Sequence, residues 1–478
     1  MTLILFFCFP VLLFAQQLTL EGAVQTALRN NERLKQYKER TIQKEYANAD
    51  AWGNFLPSVT FQGGYNHLND PLQIDLDPIR QVIIQLQASN QLTFAKLQNP
   101  ALTPAQQAGI YSQASTQLNQ QIPAFVETFK QQDYRSGTFI GVQPLFMGGK
   151  LLAAKNFASS ELTASQAEER EVKDEMIREV VDDYLAVVIM ENVVATRKDV
   201  LAGMQHHLQD AERLYKEGLI APHHRLRARV AVADAERNLT RDQNKLELAL
   251  LALRHVLGVA EDAPISTIDG LTYVPVSPVV GDLIVRAHRG QPILELIGAK
   301  KKAAAQKFAA ERAELLPKLY AFGTYEVYPQ YLSSLEPRWM VGIQLSFPIF
   351  TGLQRYNRLQ SASHLQSEVE HLEADSQDRI DLWVNKSYRD VVNAGTLYEK
   401  LAADGALAEE NYRVNEKRFQ TGLGTSLEVV DARLGWEKSQ LERLATLQEY
   451  YKALTDLYTA VGEPNEFFTL WNNRGAQQ

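Results

Sequence analysis

Cysteine is almost missing from this sequence. The one residue, Cys8, lies in an N-terminal apolar run, so the mature chain is expected to have none. That excludes disulfides, thiol nucleophiles and thiolate metal sites together. A surplus of positive charge is missing too. Forty-nine basic residues against 57 acidic ones give a net charge of −8, which argues against nucleic acid as a partner. Long hydrophobic runs are missing beyond the N-terminus. Residues 3–14, LILFFCFPVLLF, are too few for a membrane span and suit a signal peptide, residues 1–15, cut near Ala15. With no other stretch of spanning length, a chain of this kind crosses a bilayer only as a closed barrel. No nucleophile–base pair, phosphate loop or zinc motif occurs, so catalysis, cofactors and metals are not expected.

What is present is a duplication. Tyr215 to Arg229 reads YKEGLIAPHHRLRAR, and Phe419 to Arg433 reads FQTGLGTSLEVVDAR. At an offset of 204, Gly218 pairs with Gly422, Leu219 with Leu423 and Arg229 with Arg433. Each copy lies between two long polar–apolar periodic runs and reads as the turn of a helical hairpin. The glycine supplies the positive φ that ends the first helix. Thr425 and Glu428 fit a capping box, and Pro222 fits a first helical position.

Earlier motifs repeat as well. Pro144-Leu145-Phe146-x-Gly148 matches Pro348-Ile349-Phe350-x-Gly352, again at 204, whereas Leu56-Pro57 matches Leu316-Pro317 at 260. The difference of 56 residues falls in the connection between two strands. Fixed length in the body and free length in one loop suit a rigid rod with a solvent loop. Residues 151–217, free of proline, make about 100 Å of helix at 1.5 Å per residue. The flanking helices, 20–53 and 223–257, are about half that length, so two of them laid end to end match one long helix.

The strand candidates alternate. In the last, Trp339, Val341, Ile343, Leu345 and Phe347 face one way, while Arg338, Met340, Gly342, Gln344 and Ser346 face the other. That is the apolar-out, polar-in pattern of a barrel around water. Tyr65, Tyr325, Tyr328, Tyr331 and Trp339 gather at the loop ends, with Phe146 and Phe350 at the helix ends, as two aromatic girdles would. The competing reading is a soluble sandwich with ordinary alternation. Four strands do not close a barrel alone, so either reading needs a partner.

Taken together, the duplication, the LTLEGAVQTALRNN opening, the Leu-Pro stops, QPLFMGGK with FPIFTGLQ and the two tip turns resemble the TolC-type outer-membrane efflux family. The resemblance covers nearly the whole mature chain. It implies a mainly α fold with a small β part. Long helical hairpins form a trimeric α-barrel in the periplasm. Four antiparallel strands per protomer join a twelve-stranded transmembrane β-barrel in outer-membrane lipid. It divides the chain into a first repeat, 16–258, with strands near 58–65 and 137–146, an extracellular loop 66–135 and a hairpin 151–257. A linker, 259–281, follows. The second repeat, 282–461, has strands near 319–328 and 338–350 and a hairpin 353–461, before a C-terminal tail, 462–478. The implied function is a passive homotrimeric conduit of a tripartite efflux or type I secretion system. It docks to a periplasmic adaptor and is powered by an inner-membrane transporter of RND or ABC type. The alternative is a periplasmic coiled-coil scaffold with no pore.

The resemblance also implies roles for tip residues. Glu428 and Asp431, at i and i+3 on one helix face, match an acidic pair that rings a closed periplasmic aperture. Glu428 also completes the capping box, which accounts for it without a gate. The first-repeat counterparts, His224 and Arg227, carry the opposite sign, so a salt link between hairpins is expected. Gly218, Leu219, Gly422 and Leu423 are the positions expected to meet the adaptor; the alternative for the leucines is a capping contact inside the hairpin. Where the best-studied relative locks its tip with a tyrosine and an arginine, this chain has Phe419 and Gly424. His206, His207, His223 and His224 invite a metal, but His207 lies about 12 Å along the helix from the level of His223, so one hairpin does not gather them.

Overall fold

The structure, a computed structural model, describes residues 16–333 and 335–472; the expected signal peptide and Cys8 lie outside the described residues. In chain order come β1 (Gln16–Leu18), α1 (Leu20–Asn30), α2 (Glu32–Gly53), β2 (Ser58–His67), β3 (Leu72–Asp75), α3 (Asp77–Gln98), α4 (Pro104–Gln121), β4 (Val126–Lys130) and β5 (Asp133–Phe146). The first hairpin is α5 (Lys150–Lys216) and α6 (Pro222–Leu257). Then follow β6 (Ile265–Thr267), α7 (Val280–Gly290), α8 (Pro292–Ala313), β7 (Lys318–Glu326), a short turn Pro329–Tyr331 and β8 (Trp339–Ser346). The second hairpin, α9 (Gln354–Gln420) and α10 (Ser426–Val461), precedes α11 (Glu466–Asn472). Two compact units result: one from residues up to 49, 153–308 and 358 onward, the other from 50–152 and 309–357.

In the helical unit the duplication is kept in length. α5 and α9 each have 67 residues, and α6 and α10 each have 36. The short helices differ from the expectation. Residues 20–53, expected as one helix, and the matching stretch 283–315, whose periodicity reads the same way, are each broken, at Asn31 and at Gln291. The breaks serve the ends of the hairpin helices. Asn31 Nδ2 donates to the Val256 carbonyl at 3.1 Å, and Gln291 Nε2 donates to those of Thr459 and Ala460 at 2.7 and 2.8 Å. These carbonyls belong to the last turns of α6 and α10, where no further helical N–H follows; that of Thr459 also accepts from the Gly462 N–H at 3.0 Å. Pro292 also pushes Gln291 out of helical geometry. Gly462 ends α10 at φ 80°, and a Cβ there would lie 2.7 Å from the backbone of Gly290. Short helices therefore meet end to end, as the length arithmetic requires.

The main core lies where these ends meet. Tyr184, Leu253, Tyr450, Leu454 and Leu457 are fully buried in it. Its tyrosines hold the 259–281 stretch: Tyr184 donates to Asp269 at 2.8 Å and Tyr450 to the Val274 carbonyl at 2.7 Å. The described part of the expected tail is not loose. It forms α11, whose Phe467 and Trp471 pack around Tyr451.

The second unit contains one antiparallel sheet, ordered β2-β5-β7-β8, with β2 and β8 as free edges. Register puts Phe61 opposite Phe139, Phe139 opposite Tyr325, and Tyr325 opposite Trp339. Val59, Phe61, Tyr65, Leu319, Ala321, Tyr325, Trp339, Val341, Ile343 and Leu345 thus share one face. The other carries Thr60, Gln62, Thr138, Thr324, Gln344 and Ser346. Val341, Ile343 and Leu345 are 72, 68 and 65 % exposed, so the apolar face has no core to fill, and the sandwich reading fails. No helix among the described residues is long and apolar enough to cross a membrane.

The 66–135 connection is not a plain solvated loop. β3 and β4 pair as a ribbon, and α3 and α4 form a hairpin with a core of Ile84, Ala88, Ala114 and Leu118. Thr103 and Gln106 form a full capping box behind Pro104, a signal legible in the sequence. Arg80 clasps the pair, donating to the carbonyls of Ile122 and Asn119 at 2.9 and 2.8 Å.

Candidate functional site at the hairpin tips

Both tips end their first helix in the same way. Gly218 and Gly422 adopt φ 74° and 75°. The Gly218 N–H donates to the Tyr215 carbonyl and Leu219 N–H to Leu214; Gly422 and Leu423 repeat this with Phe419 and Arg418. This is the Schellman arrangement, in which a hydrophobic contact between the flanking residues is common. Leu219 and Leu423 are 66 and 76 % exposed, so both stand out as apolar knobs. The residue at the capping partner position is Leu214 for the first and Arg418 for the second.

The next helices start differently. Thr425 caps α10, accepting from the Glu428 N–H at 3.3 Å, while the Glu428 carboxylate accepts from the Thr425 N–H at 2.7 Å. That backbone N–H holds the Glu428 carboxyl below the usual carboxylate range. Its ion pair, at 3.8 Å, is with Arg418 of the same hairpin rather than with Arg227. Asp431 is exposed one turn on. At the first tip Ala221 offers no side-chain cap, and Pro222 opens α6. The His224 ring lies tilted against that of His223, with centroids 4.1 Å apart, and Arg227 is exposed. Burial, then the charges of His223 and Arg227, push the His224 imidazole below its ordinary value. The structure therefore gives one acidic and one basic tip within a single chain.

The groups that tie the hairpins together include three that the motifs name, Phe419, His207 and Arg433, though nothing local marks them for that role. Phe419 is buried among Ala211, Leu214, Ala228 and Val429, drawn from both hairpins. His207, in contact with its ring at 4.6 Å, is bonded to Ser426 Oγ at 2.7 Å. Burial pushes this imidazole down to about 4. It is a core histidine, and no cluster of metal-binding side chains occurs among the described residues. Further along, Arg433 lies between the rings of Tyr412 and Trp436 and donates to the Asp199 carbonyl at 2.5 Å. Arg197 then bridges Asp242, at 2.7 Å, to Glu437, and all three are nearly buried. The pairing of Arg229 with Arg433 is legible in the repeat; which of them turns inward is not.

Comparison with known proteins agrees with this architecture. The family described as outer membrane efflux protein matches residues 23–259 and 283–463. The cobalt-zinc-cadmium resistance protein CzcC of Cupriavidus metallidurans is 23 % identical over 363 residues, covering 73 % of this chain and 82 % of its own. Among solved structures, the outer membrane protein VceC of Vibrio cholerae has a TM-score of 0.71 at 17 % identity, over 93 % of this chain and 96 % of that one. The MtrE outer membrane channel of Neisseria gonorrhoeae has a TM-score of 0.67 at 15 % identity, over 93 % and 89 %.

Proposed function

Since this chain belongs to the outer membrane efflux protein family and is an efflux channel of the outer membrane, we propose that it works as a homotrimer in which each copy gives four strands to one closed barrel. One observation carries this reading: a single-layer sheet with an exposed apolar face and two free edges. In a bilayer every backbone N–H and carbonyl must be paired, so free edges have to meet those of other copies. Four is an even number of strands, so β2 and β8 run antiparallel and can be joined copy to copy in the sheet's own pattern. Three copies give twelve strands, with Thr60, Gln62, Thr138 and Gln344 toward a wet bore.

The conduit is passive. An inner-membrane transporter of RND or ABC type supplies the energy, and a periplasmic adaptor links the two. Leu219 and Leu423 are the apolar knobs we assign to the adaptor, presented by Gly218 and Gly422. Three copies would also set Glu428 and Asp431 around the axis, where like charges favour cations and resist closure. Arg227 would then line the neighbouring hairpins with opposite charge, beside the neutral imidazole of His224. The cargo follows from the pump; a metal cargo is the reading that the likeness to CzcC favours.

The test is direct. Outer-membrane fractions should hold a heat-modifiable trimer that conducts in planar bilayers, and Leu219→Asp with Leu423→Asp should abolish export while leaving conductance intact. A water-soluble monomer without conductance, as the pore-free scaffold demands, would sink the proposal.

A further inference from the structure

The α3–α4 hairpin carries a face that nothing in one copy covers. At about 100° per residue, Ile79, Val82, Leu86 and Leu97 fall within a narrow arc of α3, interrupted in its second half by Asn90 and Thr93, with Phe94 at its margin. All five are more than half exposed. The opposite face, Ile84 and Ala88, is the one packed on α4. Its unbroken part, Ile79, Val82 and Leu86, spans two turns, and such a patch on a helix already packed on its other side marks a contact surface.

We propose that a second copy of this chain covers the stripe, so that neighbouring protomers clasp one another through α3 outside the barrel. The inference rests on the trimer reading above. Continuity with the free edge of β2 selects this occupant. β2 ends at His67 and passes into the β3–β4 ribbon, which is tied down where Leu68 N–H donates to the Gln132 carbonyl at 2.8 Å and Leu76 N–H to that of Phe125 at 2.7 Å. The ribbon leads straight into α3 at Asp77. The strand that joins β2 from the next copy is β8, running antiparallel, so its Trp339 end arrives beside His67 and the root of this ribbon. The neighbour is therefore brought to α3 by the same pairing that closes the barrel. Charge argues against the other occupant, a phosphate-bearing lipid headgroup. Between Asp77 and Gln121 the only charged residues are Asp77, Arg80 and Lys96, and Arg80 is spent on Asp77, Asn119 and Ile122. One lysine does not make an anionic-lipid site.

The experiment places a benzophenone amino acid at Leu86, and in a control at Gln91, exposed and about 140° round the helix from it. Outer membranes of the full chain are irradiated, and trimer bands and bilayer conductance are read on the same samples. The expected result is covalent dimers and trimers of this chain from position 86 and none from 91. Leu86→Asp, at a site exposed in the single copy, should lower the temperature at which trimers dissociate by several degrees. A conducting trimer whose position 86 reacts only with lipopolysaccharide, with a different protein or with nothing overturns this inference and leaves the channel standing. Loss of the trimer itself in unsubstituted protein overturns both.

Discussion

Set side by side, the two hairpins share a backbone and differ in what they turn inward. Their helices are equal in length, and their turn glycines differ by 1° in φ. Yet Arg229 sits outside, paired with Glu212 at 2.9 Å, while its counterpart Arg433 is buried between two rings. Tyr215 is half-buried under Arg225, and its counterpart Phe419 is fully buried. One hairpin starts its second helix with a side-chain cap and the other does not. Length and turn geometry are what end-to-end stacking of rods demands, so drift in either would open the body. Side chains answer to neighbours, and the two hairpins of one chain have different ones. A duplication can therefore hold its frame and let its faces diverge, down to opposite charge at the tips.

The largest effect should come from the groups that make the faces unequal. Arg197→Met leaves Glu437 buried with no cation, while Asp242 keeps Lys245 at 3.0 Å, and should cost about 3 kcal/mol. Urea unfolding of the purified protein measures it; a loss under 1 kcal/mol would mean that water reaches the pair. Next is Phe419→Ala. Removing a fully buried ring costs about 3 kcal/mol, whereas Tyr215→Ala, at the matching but half-exposed position, should cost less than half as much. Equal losses would show that the two hairpins are interchangeable after all.

Much of this frame is written in the sequence. The glycine turns, the strand alternation and the 204-residue offset each report a backbone requirement that few residue types meet. The helix break at Asn31 is not legible, because periodicity runs through it and its cause is a bond to a helix end 225 residues away in the chain. The break at Gln291 has a local signal in Pro292, which periodicity alone passes over. The α3–α4 hairpin was hidden for another reason. With few charges its helices lack the polar–apolar contrast that marks amphipathic segments, although Thr103-Pro104-x-Gln106 announces a helix start. At the tips the leucines were readable as candidates. The inward turn of Phe419, His207 and Arg433 depends on the opposite hairpin and has no local signature.

Acidification should separate the tip from the middle of the body. His207 titrates at about 4 in the fold against an ordinary 6.5, so it is buried neutral. The unfolded chain takes up its proton first. The stabilisation from this group is thus present above pH 6.5 and is lost as pH falls toward 4; about 2 kcal/mol has gone by pH 5. Asp174 and Asp182, on the same helix, do the reverse. Burial raises each to about 6, and the Asp456 carboxylate adds to it for Asp182. Their penalty at pH 7 is relieved as pH falls from 6 toward 4. Amide exchange corrected for intrinsic rate should show protection falling around 207 and 426 and rising around 174–182 between pH 7 and pH 5. His207→Gln should flatten the first change only. Segments that move in the same direction would refute the assignment of both.

The smallest effect tests the frame itself, at the paired turns after β5 and β8. Gly148 and Gly352 both have φ 63°, and the next residues, Gly149 and Leu353, stay left-handed at 88° and 64°. The second copy thus holds a leucine where the first holds a glycine, a strain of about 1–2 kcal/mol. Gly149→Ala should therefore destabilise by about 1 kcal/mol, and the cause can only be the backbone, since a Cβ there meets nothing within 4 Å. Leu353→Gly should move the other way and by less. It relieves the strain, but the freer unfolded chain takes back about 0.4–1 kcal/mol. The leucine gives up little packing in exchange, being 65 % exposed in the single copy. Opposite signs at matched positions, read as shifts in the urea midpoint, would show that the repeat keeps its dihedral angles even where its residues no longer favour them. A loss at Leu353→Gly as large as that at Gly149→Ala would instead mean that this side chain is held by a neighbouring copy, and that the second turn is kept by assembly rather than by its own backbone.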